Sequence, residues 1–172
     1  LTVTKVTRAK WTFMVYLNGA NDLQPYGPLN FNQMEKTGST QDVNIVVQWK
    51  QASCATCGSP DWTGVRRYLV RKDDNTSVVN SPIVESLPVT TDMGDWRTLQ
   101  SFIAWCQRNY PADHYAVVIW NHGAGWRDTR AAGSKLGNFP RSVSLDDAAH
   151  TEIQTWDLPQ ALNVTPKIDM LI

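Results

Sequence analysis

Cysteine is scarce in this chain. Only Cys54, Cys57 and Cys106 occur in 172 residues. Three cysteines do not define a disulfide framework, so they leave the redox compartment open. Cys54 and Cys57 make one CxxC pair, but no second CxxC or HxxxH accompanies it, and the pair does not open a helix as thioredoxin-type motifs do. It reads as a small local disulfide or as two free thiols. Excess charge is also missing: Lys+Arg 16 balance Asp+Glu 16. That argues against nucleic-acid binding through bulk charge and leaves only a local basic patch for such a role. No apolar run approaches the roughly 20 residues needed to cross a bilayer. The N-terminal LTVTKVTRAK lacks the apolar core of a signal peptide, although it could be what remains after one is removed.

What is present is enough for one domain with a sizeable core. Hydrophobic residues make up 42%, and tryptophan is unusually frequent at 8. The chain is organised around residues 115–126, YAVVIWNHGAGW. Six apolar, largely β-branched and aromatic residues read as a strand buried on both faces. The abrupt change to Asn121, His122, Gly123 reads as a loop at the C-terminal end of that strand, the edge of an open parallel sheet where ligands bind. A histidine there can act as a general base, and the N–H of the following glycine can stabilise an oxyanion. The alternative is that His122 caps a strand and Gly123 makes a turn.

Three further apolar runs are expected in the same mostly parallel sheet: residues 10–17, 43–49 and 167–172. Between the first two, a short helix is expected over 29–36, capped by Asn21 or Asp22 and ended by Gly38. Residues 65–70 and 77–84 flank an Asp73-Asp74-Asn75 turn and predict a small side hairpin or small side sheet, partly solvent-facing, with Arg66 and Arg67 on a solvated face. Asp95 is a good N-cap for a helix whose Leu99, Phe102, Ile103 and Cys106 form one apolar stripe, and Pro111 stops it. Residues 127–141 form a long loop with Gly133, Gly137, Lys135 and Arg141. A short strand over 142–147 and a short helix capped by Thr155 and ending near Asn163 follow. The run 167–172 breaks off inside a core-type strand, so residues 1–172 are expected to be the N-terminal part of a single domain, incomplete at its C-terminus.

Three motifs, WTFMVYLNGANDL at 11–23, DMGDWRTLQSFIAWC at 92–106 and YPADHYAVVIWNHGAGW at 110–126, together resemble the clostripain family of cysteine peptidases. The resemblance implies a caspase-like α/β three-layer sandwich, with a mostly parallel central sheet and helices on both faces. It implies that His122 is the catalytic base and that Gly123 offers the oxyanion N–H. In caspases the histidine precedes the nucleophilic cysteine by about 50 residues, and Ile172 lies 50 residues beyond His122. None of the three cysteines fits that role, so the nucleophile is expected on a downstream segment or a second chain. A polypeptide substrate with Arg or Lys at P1, self-cleavage in the loop after His122 (at Lys135 or Arg141), and a secreted or cell-envelope location follow from the same resemblance. The chemistry requires no cofactor, and Ca2+ is left open. Two other readings compete: a Trp-rich carbohydrate- or protein-binding module, and a catalytically inactive family member.

Overall fold

A computed structural model describes residues 8–123 and 142–172. Its strands and helices, in chain order, are β1 (Ala9–Asn18), α1 (Gly27–Glu35), β2 (Val43–Gln51), β3 (Gly64–Leu69), β4 (Ile83–Leu87), α2 (Trp96–Asn109), β5 (Ala112–Trp120), β6 (Ser142–Asp146), β7 (Thr151–Gln154), α3 (Leu158–Ala161) and β8 (Met170–Leu171). Six strands form one sheet in the order β4-β3-β2-β1-β5-β8. β2, β1, β5 and β8 run parallel, as their apolar runs predict, and β3 and β4 are antiparallel.

Side chains alternate along β1, and this alternation assigns a helix to each face. Met14 and Tyr16 lie in one core cluster with Leu99, Phe102, Ile103 and Cys106 of α2. Val15 and Leu17 lie in a second cluster with Phe31 of α1 and with Val47 and Trp49. Each fully buried large side chain of the α2 stripe contributes roughly 1.5–3 kcal/mol. Asp95 caps α2 as expected, its carboxylate accepting from the Arg97 backbone N–H at 2.9 Å.

The 65–84 segment departs from expectation. It is not a separate side hairpin. β3 pairs along its length with β2, so the antiparallel pair extends the main sheet. The return strand begins only at Ile83, because the buried Glu35 at the end of α1 captures the preceding chain. One Glu35 oxygen accepts from the backbone N–H groups of Asn80 and Ser81 and from the Ser81 hydroxyl. Arg67 is correspondingly not on a solvated face. It is 4% exposed, donates to Gln48 and Glu85 at 2.8 and 2.7 Å, and lies 4.5 Å from the Trp105 ring centroid. Arg66 is half-buried over Trp62.

The helix caps also differ in detail. A 3-10 turn at Gln24–Tyr26 leads into α1, and neither Asn21 nor Asp22 caps it. A 3-10 turn at Thr155–Asp157 leads into α3; its N-cap position is Gln154 rather than Thr155, and the Gln154 backbone N–H donates to the Asp157 carboxylate at 3.1 Å. Past the C-terminus of α1, Gly38 adopts φ +66° and donates to the Met34 carbonyl. A Cβ there would come within 2.5 Å of Lys72 Cα and 2.8 Å of the Arg71 carbonyl carbon. Gly38→Ala is therefore expected to destabilise by about 2 kcal/mol or more, from left-handed strain plus a clash with rigid backbone. A denaturant midpoint unchanged by this substitution would contradict it.

Candidate active site

β1 and β5 are neighbours, with Leu17 opposite Trp120. Their C-terminal ends therefore bring together two short polar segments about a hundred residues apart in sequence. Three asparagine amides from these segments converge on one carbonyl. Asn18, Asn21 and Asn121 each donate to Leu145 O, at 3.0, 3.0 and 3.1 Å. Asn121 also accepts from Leu145 N–H at 3.0 Å and donates to Asn18 O at 2.8 Å. Buried Asn18 makes a further bond to Ser144 Oγ. This network pins β6 across the sheet edge and fixes the backbone on both sides of the site.

His122 follows directly on the clamped Asn121. Its Nε2 lies 2.6 Å from Asp22 Oδ1, and the two side chains are 48% and 65% exposed. Asp22 escaped the sequence reading, which offered it only as a helix cap. The signal that could have found it is an acidic residue just past a central strand, at the same sheet edge as the histidine. Gly123 is exposed, and among the described residues nothing lies within 4 Å of where its Cβ would be, so on that side its backbone is open to close approach. Gly125, Trp126 and the 127–141 loop with its expected processing site fall outside the described residues.

No cysteine of this chain is presented to His122 as a reactive thiol. Cys54 and Cys57 form a disulfide. Cys106 is free but buried in α2, and burial holds its thiol well above the usual range against a smaller opposing pull from Arg67. Among the described residues no group of three or more His, Cys, Asp or Glu side chains is placed to hold a metal ion, and no helix is long and apolar enough to cross a membrane. The described tryptophans are buried or half-buried, apart from Trp156 at 61% exposed, so they do not assemble a stacking platform.

A mostly parallel sheet with a helix packed on each face, and polar loops gathered at the strands' C-terminal edge, defines an α/β sandwich with the caspase-like fold. The chain belongs to the clostripain family, whose sequence profile matches residues 15–172. It is 26% identical over 129 residues to the clostripain of Hathewaya histolytica, a match covering 69% of this chain and 24% of that protein. The chain thus spans about a quarter of the curated relative it matches. Among solved structures it is similar to a secreted C11 cysteine protease from Bacteroides thetaiotaomicron in complex with an irreversible peptide inhibitor. That match has a TM-score of 0.63 and 23% identity, over 95% of this chain and 41% of the other. It is also similar to a clostripain from Bacteroides thetaiotaomicron ATCC 29148 in complex with the peptide inhibitor BTN-VLTK-AOMK. There the TM-score is 0.50 and the identity 20%, over 72% of this chain and 98% of that one.

Proposed function

We propose that the full-length protein is a cysteine endopeptidase cleaving after Arg or Lys, with His122 as its base and Gly123 N–H as an oxyanion donor. The nucleophilic cysteine lies just beyond residue 172. The observation that carries this reading is the parallel pairing of β8 with β5. Ala116 faces Met170, Val117 faces Leu171, and Ile119 N–H donates to Ile172 O at 2.9 Å. A strand continuing in that direction delivers its next residues beside His122, at the same edge of a rigid sheet.

The chemistry that follows is acyl transfer. The thiol gives its proton to the imidazole as sulfur bonds to the scissile carbonyl carbon, and the carbonyl electron pair moves onto oxygen. Backbone N–H groups hold that oxyanion. As the pair returns, the C–N bond breaks and the imidazolium proton passes to the leaving amine. Water then hydrolyses the thioester by the same base.

Family membership supports the reaction class, and the VLTK peptide of the inhibitor bound to the Bacteroides thetaiotaomicron clostripain supports a basic P1 residue. We place the protein outside the cytoplasm. The Cys54–Cys57 disulfide suits an oxidising compartment, and one structural relative is described as secreted.

The test is hydrolysis of Arg-, Lys- and Ala-amides by the full-length protein and by the 172-residue chain. Thiol-dependent turnover of the basic substrates is expected from the full-length protein alone. Activity in the short chain that is lost on mutating Cys106 would overturn the placement of the nucleophile.

A further inference from the structure

We infer that Asp22 is a positioning residue which holds the His122 imidazole as its Nε2–H tautomer and so makes Nδ1 the atom that carries the proton. This deepens the proposed function and rests on it. In neutral imidazole one ring nitrogen donates and the other accepts, and the partner of one nitrogen decides which. Asp22 Oδ1 lies 2.6 Å from Nε2, the distance of a charge-assisted bond. An ionised carboxylate is acceptor-only, so the proton on that side must sit on Nε2. The lone pair of Nδ1 is then left for the thiol proton. When Nδ1 takes that proton, the ring becomes a cation with its positive charge beside the Asp22 carboxylate, which stabilises it.

The setting favours a fixed geometry. Asn21, next to Asp22, is buried, with its amide bonded to Leu145 O and to Leu23 N–H. The side-chain amide of Asn121, next to His122, donates to the carbonyl of the same Leu145 and accepts from its N–H. The positioning carboxylate and the imidazole therefore stand just past adjacent strand ends that share one anchor. Positioning of this kind locks a tautomer without contributing much to folding, because a half-exposed pair adds little to stability. The pair also accounts for an acidic residue just past β1 that is exposed and does not cap α1.

The experiment uses the full-length protein and its Asp22→Asn, Asp22→Ala and His122→Ala variants. Asp22→Ala is expected to lower kcat by at least about tenfold, bounded by the roughly 10²–10⁴-fold that general-base catalysis supplies. KM should stay within about twofold and the melting temperature should not move. Asp22→Asn should lower kcat less when its amide oxygen still accepts from Nε2. The second readout is the two-bond 1H–15N spectrum of His122 after its nucleophile has been alkylated, so that no thiolate competes for the ring. A protonated Nε2 and an unprotonated Nδ1 are expected, reverting to a tautomer mixture in Asp22→Ala. If His122→Ala is inactive while both Asp22 variants keep wild-type kcat, or if the tautomer is the same without Asp22, the inference is wrong and the proposed function stands. If His122→Ala itself turns over normally, the proposed function fails first.

Discussion

Replacing His122 with Ala in the full-length protein is expected to cut kcat on Arg- and Lys-amides by roughly 10²–10⁴-fold, the usual share of a general base. The loss should exceed that range where formation of the thiolate depends on an ion pair with the imidazole. The fold should survive the change. His122 is half exposed, its described side-chain bond is the one to Asp22, and the backbone around it is held by the asparagine network rather than by the imidazole. Circular dichroism and the melting temperature should therefore match the parent protein while turnover disappears. His122→Gln should be equally inactive, because an amide cannot accept and release a proton near neutral pH. Turnover close to that of the parent in either variant would mean that His122 only terminates β5.

The fold was legible in the sequence wherever burial imposed a period. Residues 115–120 are apolar because β5 is covered by α2 on one face and by the α1-side cluster on the other. The α2 stripe repeats at i, i+3, i+4, i+7 because one face of that helix meets the sheet. The position of His122 at the sheet edge was legible for the same reason, as a change of composition at the end of a buried run. The contact of Asp22 with His122 was not, because that contact depends on sheet order. An Asn-Asp pair after a strand looks alike whether it caps a helix or reaches a neighbouring strand end. Only the placement of β1 beside β5 decides between them.

Arg67 shows the converse. Alternation around Arg66-Arg67 resembles a solvent-facing hairpin, since local pattern cannot reveal that Gln48 and Glu85 will flank the guanidinium from the two adjacent strands. The point where β4 begins was hidden in the same way. Glu35 and the residues it captures, Asn80 and Ser81, are some 45 positions apart.

Asp146→Ala is expected to be the most destabilising single substitution at the site's foundation, costing about 3–5 kcal/mol. Lys50 and Asp146 form an ion pair at 2.6 Å with side chains 4% and 0% exposed. The Lys50 ammonium also donates to Thr91 O at 2.7 Å. Asp146 accepts from the Met93 and Ala149 backbone N–H groups as well. Removing the carboxylate leaves a buried cation without its counter-charge and two buried or half-buried N–H groups without an acceptor, which is the costly way to break such a pair.

Lys50→Met should cost less, since the carboxylate keeps its two N–H donors. The double variant Lys50→Met/Asp146→Ala should recover part of the Asp146→Ala loss but not all of it, because Met93 and Ala149 N–H remain unpaired. Denaturation of the full-length variants, read as a double-mutant cycle, measures these differences. Equal stability of Asp146→Ala and the parent would show that the pair is dispensable. The effect should reach the candidate active site by a defined route. Ser144, two residues before Asp146 on β6, bonds both Asn18 and Met93 O, and Leu145 between them is the anchor shared by Asn18, Asn21 and Asn121. Loosening β6 therefore releases the supports of Asp22 and His122 together. Asp146→Ala should accordingly lose kcat on warming well before it loses secondary structure, whereas Gly38→Ala, on a turn at the far end of α1, should lose both at the same temperature.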